Sequence, residues 1–129
     1  LLRAAKKARK EDFSKALPKA KAALLADTPY APLAPYYLIA DGGYLSDEYE
    51  LLSQSRAEAE NADFHRALAA EELLEVKPDG VVIAKCADGD TVLLLADGAV
   101  IRFSHEAPEE LNRWPSLPQF LADAITEDE

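Results

Sequence analysis

Residues 81–103 read VVIAKC-ADGD-TVLLLA-DG-AVIRF, three runs rich in Val, Ile and Leu separated by Asp-Gly turns. Asp97-Gly98 joins its flanking runs as a two-residue loop of the kind that needs positive φ, so the spacing predicts a three-strand antiparallel meander. The first two runs, VVIA and VLLLA, are continuously apolar rather than alternating, so both faces of those strands must be covered. The cover has to come from helices elsewhere in the chain. The expected class is therefore α+β: one antiparallel sheet, with the meander at its centre, packed by N-terminal, middle and C-terminal helices.

The chain has 129 residues, which fits a single domain spanning 1–129 with a core of its own. Its single cysteine, Cys86, cannot close an internal disulfide and lies in an apolar run, as expected of a small buried hydrophobe in a reducing compartment. No apolar stretch approaches the roughly 20 residues that span a bilayer, and no charged-then-apolar leader opens the chain. A soluble, cytoplasmic protein is expected, with no membrane contact. The net charge of −10 is unevenly spread: residues 1–21 hold eight Lys or Arg against Glu11 and Asp12, whereas the rest holds six against 22 acids. Such an acidic body repels nucleic-acid phosphates; it either steers a basic protein toward itself or simply keeps the chain in solution.

Residues 1–26 carry apolar side chains at three- and four-residue steps (Leu2, Ala5, Ala8, Phe13, Ala16, Leu17), the helical period. Pro18 interrupts it, so two helices meeting near 14–18, or one kinked helix, are expected. The basic residues Lys6, Lys7, Arg9 and Lys10 lack aromatic interleaving, which leaves a solvated helix face rather than a nucleic-acid site. Three prolines in DTPYAPLAP (27–35) make a connector, followed by a short apolar turn or helix that stops at Gly42-Gly43. Residues 44–53 read as a strand or hairpin with Tyr49, Leu51 and Leu45 facing inward. The alanine-rich stretch 56–76 predicts a helix from Ala62 to about Leu74. Residues 104–115 read as a loop, and Ser116-Leu-Pro-Gln119 as a capping box opening a helix whose Phe120, Leu121, Ala124 and Ile125 pack on the sheet.

The order of these segments resembles the SMI1/KNR4 (SUKH) superfamily: YYLIADGGYL, VVIAKCADGDTVLLL, DGAVIRF and SLPQFLADAI, together spanning about 32–125. The basic N-terminal segment and Pro18 depart from the family pattern, so the resemblance does not extend to residues 1–26. The resemblance implies an α+β fold and a protein-binding role without catalytic residues. Many bacterial members look like immunity proteins that neutralise cognate toxins, and here a basic toxin domain would be the partner.

An enzyme needs a convergent set of groups. His65 and His105 are the only histidines and lack the spacing of a helical zinc pair; His105-Glu106-Ala107-Pro108 is not a HExxH motif. The alternative to a binding module is a small hydrolase or metal-dependent enzyme using His105 with nearby carboxylates. Asp88-Gly89-Asp90 lacks the further ligands of an EF-hand loop and reads as a turn. No cofactor or metal is expected. For the binding reading, the protein-contacting residues are Asp41, Tyr44, Asp47, Glu48, Tyr49 and Glu50 around the glycine pair: aromatic anchors in a charged rim. The competing reading of the same residues has both tyrosines packed inward and the acids only solvating the loop. Nothing in the sequence specifies an oligomeric state.

Overall fold

Residues 81–103 form the middle of a six-stranded, wholly antiparallel sheet in which each strand pairs with the next in the chain. The strands are β1 (Gly43–Tyr44), β2 (Tyr49–Leu51), β3 (Val81–Cys86), β4 (Thr91–Leu94), β5 (Val100–Phe103) and β6 (Glu110–Trp114). Among the described residues, five α-helices pack around them: α1 (Leu2–Ala8), α2 (Lys19–Ala23), α3 (Ala34–Tyr37), α4 (Gln54–Ala69) and α5 (Leu117–Thr126). The computed structural model describes residues 1–71, 78–107 and 109–126.

Every residue of β4 is buried, as are Val81 to Ala84 of β3, so the unbroken apolar runs are covered on both faces as expected. One face carries the cross-strand row Glu50, Lys85, Thr91, Phe103 and Glu110, with Phe64 of α4 edge-on to Phe103 at 5.7 Å. The opposite face carries Tyr49, Cys86 and Arg102; there Phe120 of α5 meets Tyr49 edge-on at 5.4 Å and Trp114 at 4.9 Å. Edge-to-face contacts match the positive rim of one ring to the negative face of the next.

The second hairpin of the meander corrects the two-residue loop expected at Asp97-Gly98. Gly98 N–H donates to the Leu95 carbonyl and Leu95 N–H to the Ala99 carbonyl, so three residues, 96–98, form the loop. Only the glycine takes positive φ (+95° at Gly98), the pattern of a turn closed by a glycine bulge. The loop 87–89 repeats it, with Gly89 at +103°. The aspartates close each loop locally: Asp97 Oδ1 accepts from Ala99 N–H and Asp88 Oδ1 from Asp90 N–H.

The helices follow their caps more closely than their periodicity. α4 is capped by Ser53, whose Oγ accepts from Arg56 N–H, so its first residue, Gln54, stands eight positions before the expected Ala62. A second acceptor, Asp41 Oδ1, takes Gln54 N–H at 2.8 Å. Leu73 and Leu74, expected near the end of this helix, lie outside the described residues. α5 is capped as expected, with Ser116 Oγ accepting from Gln119 N–H; the Gln119 side chain does not reach back but donates to Asp123 Oδ1.

Residues 1–26 form two helices, as one of the two expectations has it, yet the first ends at Ala8. Phe13 to Leu17 are not helical. Phe13 forms a β-bridge to Gly43, Ser14 N–H donates to the Gly42 carbonyl, and Leu17 N–H to that of Tyr37. Tertiary hydrogen bonds hold this stretch extended against its helical periodicity. The core is completed by Tyr30 and Tyr37, whose buried hydroxyls donate to the Val82 and Leu52 carbonyls.

Candidate functional site

In a meander the odd-numbered connections fall at one end of the sheet. The loops 45–48, 87–90 and 104–109 therefore meet, tied together by Ala87 N–H donating to the Glu48 carbonyl and His105 N–H to Asp90 Oδ1. They bring Asp47, Glu48, Asp88, Asp90, Glu106 and Glu109 to one end. At their centre lies Arg102, alone among charged residues in the apolar run VIRF and only 14% exposed. Its guanidinium donates to Asp90 Oδ2 at 2.8 Å and Asp88 Oδ2 at 2.9 Å, pairs with Glu48 Oε1 at 2.9 Å, and donates to the Tyr49 hydroxyl at 3.2 Å. A forked cation with five donors suits this convergence of acceptors.

Asp90 is the buried member of the set. Burial alone pushes its carboxyl upward, but hydrogen bonds from the His105 ring, Arg102 and the His105 backbone outweigh that and hold it at about 2. Arg102 is opposed by burial in the same way, and its bonds to Asp90 and Tyr49 carry its pKa upward. His105 Nδ1 bonds Asp90 Oδ1, and this bond raises the imidazole above its ordinary range. Among the described residues, His105 Nε2 has no hydrogen-bond partner; its nearest charged neighbour is Glu106 Oε1 at 3.9 Å.

Covalent catalysis would need a nucleophilic side chain against that nitrogen, and among the described residues no hydroxyl or thiol is hydrogen-bonded to it. Ser104 Oγ accepts the Glu106 and Ala107 amides, and Thr91 Oγ1 accepts from Lys85. Cys86 is a buried thiol that burial pushes up to about 12, far from the thiolate a nucleophile requires. His65 holds the Gly80 carbonyl with its Nε2. Asp88, Asp90 and His105 stand close enough to share a cation, as do Glu48, Cys86 and Asp88. Arg102 already pairs with the carboxylates of both sets, Glu48, Asp88 and Asp90, and so competes with a cation for them.

The residues selected from the sequence separate in space. Tyr49 is 6% exposed and its ring belongs to the core with Phe120 and Trp114; the inward packing of the competing reading holds for it, because its register opposite Cys86 turns it to the α5 face. Asp41 caps α4, and Glu50 and Glu48 are paired with Arg56 and Arg102. Tyr44, 55% exposed, and Asp47 lie at the surface. The basic N-terminal face is more than solvated: Lys6 Nζ donates to the Ile39 carbonyl at 2.6 Å and Arg9 to that of Leu45 at 2.7 Å, fastening α1 beside α3 and the β1–β2 turn.

Protein-family models, curated proteins and solved structures contain no match to this chain. What the site can do must therefore be argued from its geometry. Sequence reading passed over Arg102, although a charge in an otherwise buried strand calls for a buried partner, and the Asp-Gly-Asp turn next to it supplies one. Residues 104–115, expected to be a loop, contain the edge strand β6 at 110–114. The strand is disguised by a bulge at Leu111 and by Glu110 and Arg113, which the bulge places on one face as an ion pair.

Proposed function

We propose that this chain is a non-enzymatic protein-binding module, an immunity-type protein whose acidic surface neutralises a basic toxin domain. The observation that carries this reading is the fate of the cations. Among the described residues beyond 21, Arg56, Arg66, Lys85, Arg102 and Arg113 each already face a carboxylate of the chain itself. Residues 22–129 hold 22 acids against six Lys or Arg, and the rest of the chain's positive charge lies in residues 1–21. Part of the acidic surplus converges at the loop end, where Arg102 lies buried under Glu48, Asp88 and Asp90 and the exposed acids Asp47, Glu106 and Glu109 form an outer rim. Complementary charge of this kind raises association rates and selects partners more than it adds affinity. No described helix is long and apolar enough to cross a membrane.

The SMI1/KNR4 resemblance points the same way. A second reading, a small hydrolase, draws on the orientation of His105 by Asp90, which is how a general base is held. Among the described residues no side-chain hydroxyl or thiol is hydrogen-bonded to His105, so this reading would rest on water as the attacking group.

The test begins with a basic toxin-like domain encoded beside this gene, co-expressed with the wild type and with Asp47→Lys/Glu106→Lys. Rescue of growth by the wild type, together with an association rate that falls steeply between low salt and about 0.15 M, supports the reading. The double charge reversal should slow association at least about tenfold while dissociation changes less. Equal rates for both proteins would move the contact away from the loop end. No rescue and no complex would remove the immunity reading.

A further inference from the structure

Between α2 and α3 an apolar groove of about 610 Å³ lies open at the surface. Lys19, Ala22, Ala23 and Ala26 line it from α2 and the turn that follows, and Ala31, Ala34, Pro35 and Leu38 from the connector and α3. Each set keeps the i, i+3, i+4, i+7 spacing of one helix face. The large side chains Leu25, Leu33 and Tyr37 of these segments are buried in the core, which leaves alanines to line most of the groove without filling it. Leu38, 42% exposed, adds a bulky apolar side chain to the lining.

Charge decides what such a groove can take. Among the described residues its lining holds no carboxylate, and its one charged group is the exposed Lys19. Lys6 Nζ sits on the Ile39 carbonyl, next in the chain to Leu38, and the Lys15 carbonyl accepts from Asp41 N–H close by. Among the described residues, Lys15, Lys19 and Lys21 form no ion pair. Two acids are near in the chain: Asp41, whose carboxylate accepts the Gln54 amide, and the exposed Asp27 after Ala26. Cations thus outnumber acids around the groove, in a chain of net charge −10. A second copy seated symmetrically on the same surface would set Lys19 against Lys19.

We infer that this groove is a second docking surface, for an acidic protein segment that seats a bulky apolar side chain on the alanines and sets its carboxylates against Lys19 and Lys15. An apolar anchor in a recess, ringed by charge, is how the centre and rim of a protein interface are built. A recess suits one inserted side chain better than the face of a bilayer. The acids of the body turn such a segment away from the rest of the surface. At about 0.15 M salt, charges beyond roughly 8 Å are screened, so the lysines beside the groove decide locally. This surface has the opposite charge to the loop end, is built from other residues, and does not depend on the partner proposed there.

The probe is a blocked peptide of about eight residues in which glutamates flank a Leu-Phe-Leu core, titrated into the full chain to about 5 mM. One control replaces every glutamate with glutamine, and another replaces the core with alanines. Amide shifts in proton–nitrogen correlation spectra should saturate with the acidic peptide and centre on Ala22, Ala23, Ala34 and Leu38. The glutamine copy should bind at least about threefold more weakly, and the alanine copy should not saturate. Lys19→Glu, a change at an exposed side chain, should weaken the acidic peptide by a similar factor. The comparison of the three peptides needs no variant and decides the matter even if Lys19→Glu perturbs folding. Equal binding of the acidic and glutamine peptides, shifts centred elsewhere, or no saturation would overturn the inference. So would the same shifts on concentrating the protein alone, which would assign the groove to a second copy, or tighter binding to phosphatidylserine vesicles than to the peptide.

Discussion

Replacing Arg102 with Met removes the guanidinium while keeping most of the apolar stem, and the consequence can be worked through contact by contact. The Asp88 and Glu48 partners are 53% and 33% exposed, so each of these pairs contributes at most about 1 kcal/mol in high dielectric. Asp90 differs: its side chain is 3% exposed, and without Arg102 a buried carboxylate loses the donor on Oδ2. Leaving a buried charge short of its partner costs about 3–5 kcal/mol. For a domain of this size that lowers the Tm by roughly 10–20 °C. The pH dependence identifies the cause. In the wild type Asp90 is depressed from 3.8 to about 2, so its contribution is fully present above 3.8 and is lost as pH falls from there through about 2. In Arg102→Met, burial raises the carboxyl with less opposition; protonation then relieves the orphaned charge, and the gap between variant and wild type should narrow below about pH 4. Urea denaturation followed by circular dichroism at several pH values measures both quantities. A loss under 1 kcal/mol, or a gap that stays constant with pH, would refute the argument that Arg102 is held by its duty to Asp90.

Phe120 is fully buried and Leu94 is 4% exposed, so truncating either to Ala should cost about 2–5 kcal/mol in thermal or urea unfolding; unchanged midpoints would remove both from the core. Gly42 sits at φ +93°, and a Cβ there would stand 2.7 Å from the backbone nitrogen of Ser53, the cap of α4. Gly42→Ala should therefore destabilise by at least about 1–3 kcal/mol, and a melting temperature equal to wild type would show that the turn relaxes freely.

Much of the architecture was legible in the chain. Continuous apolar runs broken by Asp-Gly pairs dictate buried antiparallel strands, and Ser116 with its neighbours dictates where α5 begins, because these are local rules of burial, turn chemistry and capping. The charge imbalance between residues 1–21 and the rest is likewise a property of composition alone. Local rules failed where distant groups compete for the backbone. The period of Phe13 to Leu17 is helical, yet carbonyls of Gly42 and Tyr37 claim their amides and hold them extended. Ser53 and Asp41, twelve positions apart, together start α4 earlier than its large apolar residues indicate. The candidate site belongs wholly to this second category. Glu48, Asp88, Asp90, Arg102 and His105 come from three loops and a strand, and only the alternation of hairpin ends brings them together. A single sequence records each residue's chemistry but not which of its neighbours satisfies it. For Tyr49, inward in the strand reading and outward in the binding reading, register opposite Cys86 decides for the core.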